Sequence, residues 1–449
     1  MKQVRIVFAV CIGVAILVAL VVAVSRYAPK PRASCEGCNV ILISIDTFGA
    51  KHSSVYTPEL DTTPYLKQLA AESGVVFEQA YSQAPWTLPS HAAMFTGRYP
   101  WDIGIMEAGD ALPLSATTIA ESLLAKGYAT AAYSNGPFVN PLWQMTQGFE
   151  SFTGSLLERD WNDLPSLFNQ GTTYINEHAK TPEGKPFFLL LRPFMVHDPY
   201  GPLEEADTVN IHDIVRANAL PQNVDTLEAK RFRTAYQNEI SLTDTALKEF
   251  VENLRQAGLL ENTILVITSD HGEEFGEHGT VGAHSVTLHR ENLWVPLIII
   301  APGVKPARIP ATVEIRSIPD TIAELTGADR STFEGRSLVP FMLGKETDNR
   351  IAVSQTALTR EVFLERIEYF YTEGAFGTPK ERGVALPRFS QSIVEGQWHL
   401  IRNASNSAIE LYDTQADINE RIDLFPRLEI FTPEIQVRLR YLVSLFLVT

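Results

Sequence analysis

Residues 40–46, Val-Ile-Leu-Ile-Ser-Ile-Asp, are apolar at both odd and even positions and end on a carboxylate. A strand with one wet face alternates, whereas a strand covered on both faces does not. This run therefore reads as a strand in the middle of a covered parallel sheet. A helix is expected next: Thr63 can cap it, Pro64 suits its first turn, Leu66, Leu69 and Ala70 share a face, and Gly74 stops it. The alternation continues with a helix over about 117–126, a strand from Tyr128, the apolar FFLLL from Phe187, and a helical stripe of Ile240, Leu247, Phe250, Val251 and Leu254. Short buried strands follow at Thr263–Thr268 and Leu297–Ala301. Such β-α alternation implies a doubly wound, mostly parallel α/β sheet flanked by helices, with ligands bound beyond the carboxyl ends of its strands.

From about Asp348 the texture changes to short alternating segments such as SQSIVEGQWHLIR, and the chain closes with an amphipathic stretch from Pro433. This predicts a small antiparallel sheet with a terminal helix. The expected organisation is a tether over 1–32, a main domain over 33–345 and a smaller α+β unit over 346–449. The polar, acidic segment from about Leu203 to Ala229 reads as a surface excursion near the mouth of a site.

At the other end, Ile6 to Val24 is an uncharged apolar run flanked by Lys2 and Arg5 and by Arg26, Lys30 and Arg32, long enough to span a bilayer once. It exceeds the apolar core of an ordinary signal peptide, so an uncleaved anchor is expected, with the rest of the protein exported to a periplasmic or extracellular position. The first 32 residues hold five of the 37 Lys and Arg and none of the 53 Asp and Glu, so the remainder carries 32 basic against 53 acidic groups, a net −21. That balance excludes a nucleic-acid partner. Cys35 and Cys38 form a Cys-x-x-Cys without a second pair, read as a local disulfide or two inert thiols.

Chemistry-bearing residues gather at the strand ends. Asp46 closes the first strand, and Asp270 and His271 close the TILVITS strand, on the edge where such a sheet builds its site. Mixed oxygen and nitrogen donors suit one divalent ion, Zn or Mn better than Ca. In APWTLPSH, Pro89 is pre-set for a first helical turn, which places Thr87 just ahead of a helix N-terminus, where free amides favour a tetrahedral anion. A hydroxyl beside a divalent ion gains alkoxide character. Six of the ten histidines, at 91, 197, 271, 278, 284 and 289, fall in or beside these segments. His197 and His284 are suited to donating to a substrate oxygen or protonating a leaving group.

The stretches NVILISIDT, DTTPYLKQLAAESGVVFEQAYSQAPWTLPSHAAMFTGRYP, SDHGEEFGEHG, LWVPLIIIAPG, FEGRSLVPFMLG and ELYDTQADINERIDL resemble, in order, the sulfatase family of the alkaline phosphatase superfamily. The resemblance implies a divalent metal on Asp46, Asp270 and His271, with Thr87 as nucleophile and further metal ligand. It also implies His197 and His284 on the anionic group of a sulfated or phosphorylated glycan, lipid or small molecule. Family sulfatases carry Cys or Ser, matured to formylglycine, where this chain has Thr87, and Arg where it has His91. Formylglycine is therefore not expected. Thr47 stands where many sulfatases have a second metal-binding Asp. A Thr nucleophile resembles the lipoteichoic acid synthases and phosphoethanolamine transferases of the same superfamily. Three functions follow from the resemblance: a metal-dependent hydrolase of sulfuric or phosphoric esters, a membrane-side transferase of a phospho group to a lipid or glycan alcohol, and a catalytically silent binding protein.

Overall fold

The computed structural model describes residues 34–154, 164–178, 184–198, 200–201, 211–218, 223–357, 389–403 and 406–446. The apolar run over 6–24 lies outside them, and among the described residues no helix is long and apolar enough to cross a membrane.

Strand β1 (Asn39–Ile45) is buried along its whole length. It lies between β5 (Phe187–Arg192) and β6 (Thr263–Ser269) and is parallel to both. Beyond β5 come β3 (Ala129–Ser134) and β4 (Ser151–Gly154), also parallel. Beyond β6 comes β10 (Leu297–Ile300), which runs antiparallel both to β6 and to β2 (Val75–Tyr81). The outer strand β11 (Ala307–Glu314) is parallel to β2, and the two-residue β9 (Trp294–Val295) pairs with β2 off this path. The sheet is therefore mostly parallel, with β10 and the short β9 as the reversed strands. A four-residue apolar run reads alike in either direction, which is why LIII announces a buried strand without its sense.

Ile41, Ile43 and Ile45 share a core with Leu189, Leu191, Leu265 and Ile267 and with the helices Leu164–His178 and Leu227–Gln256. Successive strand side chains alternate between faces. Val40, Leu42 and Ser44 therefore look the other way, where Ser44 Oγ meets His91 Nε2 of helix Thr87–Thr96 at 3.0 Å. Separately, β12 (Ala352–Thr356), β13 (Ser390–Glu395), β14 (Trp398–Arg402) and β15 (Ile409–Asp413) form the expected antiparallel sheet. Leu439, Leu442 and Phe446, in and just after the terminal helix Pro433–Leu445, pack on its Ile393, Leu400 and Leu411.

Two local expectations are corrected. Thr63 precedes helix Pro64–Ser73 but does not cap it with its side chain. Its hydroxyl accepts from Ser54 N and pairs with Ser53 Oγ, while the distant Asp244 accepts from Tyr65 N at 2.8 Å and Leu66 N at 2.9 Å. A carboxylate from another helix thus satisfies the orphan amides, which no local motif reveals. The segment expected as a surface excursion is in part built into the core. It contains helix Ile211–Asn218, whose Ile214 is buried and whose Asn218 side chain exchanges hydrogen bonds of 2.8 and 2.9 Å with the backbone of Val281; residues 202–210 and 219–222 lie outside the described ones. Cys35 and Cys38 are joined as a disulfide.

Just past β1, His52 is buried edge-on against Tyr236 and Phe275, with Gln237 on its Nδ1. Burial, aided by Lys51 and Arg233 and opposed by Glu277, pushes it down to about 3. The folded protein keeps this ring neutral where the unfolded chain takes up a proton, near the ordinary value of about 6.5. Stability is therefore lost as pH falls from about 6.5 towards 3. The substitution His52→Gln should make the unfolding free energy, measured in urea, fall less steeply with decreasing pH across that window; an unchanged slope would contradict this account.

Candidate active site

The register of β1 on β6 pairs Ile45 with Ser269, so Asp46 and Asp270 leave neighbouring strands side by side. Both are fully buried. The turn after β1 is held tightly. Thr47 has φ 61°, a left-handed conformation that strains a β-branched residue by about 1–3 kcal/mol. Its N–H donates to Asp270 Oδ1 at 3.0 Å, its hydroxyl donates to Asp46 Oδ1 at 2.6 Å, and its carbonyl accepts from the Tyr236 hydroxyl at 2.7 Å. On the β6 side, Gly272 lets three turns meet. A Cβ there would collide with the carbonyl of Glu291 and crowd Gly49.

Asp46 Oδ2 is ion-paired with the fully buried Arg192. Burial would raise the Asp46 carboxyl, but Arg192, His197, His271 and the Thr47 hydroxyl together hold it well below the usual carboxylate range. Sequence reasoning passed over Arg192; its signal is a lone cation ending the apolar run FFLLL.

His271 Nδ1 lies 2.9 Å from the Gly272 carbonyl, which can only accept, so Nδ1 carries the proton and Nε2 carries a lone pair. Burial lowers the pKa of this imidazole and keeps it neutral. Its Nε2 faces Asp270 Oδ2 at 3.5 Å, Asp46 Oδ1 at 3.9 Å and Thr87 Oγ1 at 3.4 Å. Among the described residues, Asp270 Oδ2 has no hydrogen-bond donor although it is buried. It lies 3.4 Å from His91 Nδ1, but that N–H serves the Thr87 carbonyl at 3.0 Å. An orphaned carboxylate oxygen, a second carboxylate and an imidazole lone pair within 4.8 Å of one another fit a divalent cation.

Thr87 is the first residue of helix Thr87–Thr96, one position further in than the sequence suggested, and no side chain caps that helix. Its first turn is pinned to the sheet edge. Ser90 Oγ donates to the Asp270 carbonyl at 2.6 Å, and His91 Nε2 meets Ser44 Oγ. His91 is fully buried behind Thr87, and burial pushes it down to about 4. His91 thus stands as a neutral ring behind the Thr87 hydroxyl.

His197 and His284 complete the wall. The His284 ring centroid lies 4.4 Å from that of His271 and 4.9 Å from that of His197. His197 Nδ1 lies 2.9 Å from Asp198 Oδ1 and 2.8 Å from the Asp198 carbonyl. Burial opposes its charged form, but Asp198 and the more distant Asp46 outweigh that and push His197 up to about 10. His284 Nδ1 faces Glu273 Oε1 at 3.2 Å, and the other Glu273 oxygen accepts from Tyr200 at 2.7 Å. Glu273 and Asp198, also unflagged by the sequence reading, thus each orient one histidine. Of the residues singled out in the sequence, Asp46, Thr87, Asp270, His271, His197 and His284 stand around one small space with His91 behind it, while His278 and His289 form a separate group with Glu291.

The sulfatase family model matches residues 38–328. This chain belongs to the sulfatase family. Among curated relatives, the ulvan-active sulfatase of Formosa agariphila is 26% identical over 327 residues, which are 64% of this chain and 61% of that protein. The match therefore spans less than two thirds of that relative. Among solved structures, a 2-O GAG sulfatase superposes with a TM-score of 0.69 at 17% identity, covering 92% of each chain. The phosphonate monoester hydrolase of Silicibacter pomeroyi superposes with a TM-score of 0.67 at 19% identity, covering 91% of this chain and 94% of that one. The family match and these likenesses agree with the fold read from the sequence.

Removing one partner of a buried ion pair leaves an uncompensated charge. In the presence of a chelator, Arg192→Met should lower the unfolding free energy by about 3–5 kcal/mol. Asp46→Asn combined with Arg192→Met should cost less than Arg192→Met alone. Equal losses in urea titrations would show that the pair is not coupled.

Proposed function

We propose that this sulfatase-family protein is a metal-dependent hydrolase of sulfuric or phosphoric esters in which Thr87 itself is the nucleophile. The observation that carries this reading is the convergence of Thr87 Oγ1, the His271 lone pair and the orphaned Asp270 oxygen on one point. A divalent ion held by Asp46, Asp270, His271 and Thr87 would supply the positive charge that activates the hydroxyl and polarises an ester oxygen.

The remaining steps fall to the chain's own groups. The Thr87 hydroxyl loses its proton to solvent, its oxygen bonds to phosphorus or sulfur, and the bond to the leaving alcohol breaks. The uncapped start of helix Thr87–Thr96 and the charged His197 face the oxygens on which charge develops. His284, oriented through Nδ1 by Glu273, is placed to give a proton to the departing alcohol oxygen. Water then attacks the Thr87 ester and releases the inorganic anion. A hydroxyl used as encoded is a conventional phosphoryl acceptor, so phosphate or phosphonate esters are the preferred substrates within this reading. The relatives named for ulvan and GAG support an anionic glycan as the alcohol part. The apolar run over 6–24 and the Cys35–Cys38 disulfide support a protein tethered to a membrane with its site outside the cytoplasm.

Turnover of aryl phosphate, bis-aryl phosphate and aryl sulfate by the purified full chain tests this reading. Thr87→Ala should lower kcat by roughly a thousandfold or more on whichever ester is cleaved. Thr87→Ser should keep measurable turnover, and a chelator should abolish it reversibly. Cleavage that survives Thr87→Ala would remove Thr87 from the chemistry.

A further inference from the structure

Beyond the space around Thr87, a second group of metal-ligating side chains stands on the loop that follows β6. His278 comes between the two-residue β7 (Glu274–Phe275) and β8 (Val281–Ala283), and His289 and Glu291 lie just before β9. One donor atom from each of His278, His289 and Glu291 lies within 4.8 Å of the others. The two rings lie parallel, with centroids 3.4 Å apart and planes 6° apart.

The hydrogen bonds fix which nitrogen of each ring faces outward. His278 Nε2 lies 3.0 Å from the Glu420 carbonyl, which can only accept, so Nε2 carries the proton. His278 Nδ1, in contact with Glu291 Oε1, shares a proton with that carboxylate, and a cation could take the proton's place. His289 Nε2 faces the Glu410 carboxylate at 3.3 Å, and the same oxygen already accepts from the Tyr412 hydroxyl at 2.7 Å. Nε2 is therefore the donor. His289 Nδ1 is left as a lone pair, buried and without a hydrogen-bond partner among the described residues. Both imidazoles thus have the outer nitrogen fixed by a carbonyl or carboxylate, as metal-ligating histidines do, while the inner nitrogen of His289 is bare and that of His278 is held to Glu291 through a proton.

We propose that His278 Nδ1, His289 Nδ1 and Glu291 bind a second divalent cation, separate from the one at Asp46, Asp270 and His271. Two imidazoles and one carboxylate suit zinc or a neighbouring transition metal rather than calcium or magnesium. On binding, any proton shared by His278 Nδ1 and Glu291 leaves to solvent and the ion takes its place. The task of this ion is structural. The same loop carries His284, and the groups that orient the two imidazoles, Glu410 and Glu420, come from β15 and the segment after it. Lys51 joins Glu277 to Asn419 at 2.7 Å each, and Arg290 N donates to Glu420 Oε2 at 2.9 Å. The ion would fasten the loop bearing His284 to the C-terminal sheet.

The test is zinc stoichiometry on the purified full chain, stripped with chelator, titrated with zinc and measured by elemental analysis. The wild type should take up two equivalents. Asp46→Asn with Asp270→Asn should retain one, and His278→Gln with His289→Gln should also retain one. X-ray absorption of the zinc held by the Asp46→Asn, Asp270→Asn protein should report two imidazole nitrogens. A wild-type stoichiometry of one or none overturns the proposal, even if a variant fails to fold. So does a second equivalent that survives His278→Gln with His289→Gln. No readout uses turnover, so the result is independent of Thr87.

Discussion

The structure around the site depends on one register. Pairing Ile45 with Ser269 brings Asp46 and Asp270 out of adjacent parallel strands at the same level, deep in the protein. Two carboxylates so placed repel each other and have lost their hydration, and they persist only if positive charge is built in around them. Part of that charge is fixed. Arg192 arrives on β5, on the other side of β1, and meets Asp46. Amides supply more, because Asp270 Oδ1 accepts from Thr47 N and His271 N. One oxygen, Asp270 Oδ2, is left without a donor, facing a neutral imidazole that offers it a lone pair instead of a proton. The unmet charge is thus confined to the spot beside the Thr87 hydroxyl.

Rigidity around that spot follows from the same edge. Thr87 opens a helix whose Ser90 and His91 are bonded to the ends of β6 and β1, so the hydroxyl cannot drift relative to the carboxylates. The strained backbone at Thr47 is held by Tyr236, which contacts both Thr47 and Gly49. His197 and His284 are each oriented by a carboxylate, Asp198 and Glu273. The difference between the two sides of the site is electrostatic: His271 and His91 are kept neutral by burial, while His197 is charged by its neighbour.

Much of this was legible in the sequence, for a physical reason. Runs such as VILISI and FFLLL are apolar on both faces, a pattern that only a covered sheet explains, and catalytic groups of such sheets sit at strand ends. That Asp46, Asp270 and His271 come together at one edge of the sheet could therefore be read from position. What could not be read came from groups that act across long separations. Arg192 is 146 positions from the Asp46 it neutralises, and Asp244 is 179 from the Tyr65 amide it caps. The reversed sense of β10 was hidden because LIII has no direction. The enclosure of His91 behind Thr87 could not be read, because nothing local distinguishes an imidazole aimed into a pocket from one enclosed behind it.

The central claim is that the two carboxylates, the neutral His271 and Thr87 are built around a single cation. The most direct measurement is anomalous X-ray diffraction from crystals of the protein loaded with zinc or manganese, recorded at that metal's absorption edge. The account predicts an anomalous peak within bonding distance of an Asp46 oxygen, Asp270 Oδ2, His271 Nε2 and Thr87 Oγ1. The contradicting result is no peak there, with Asp270 Oδ2 hydrogen-bonded to a protonated His271 or His91 and Arg192 as the sole cation of the site.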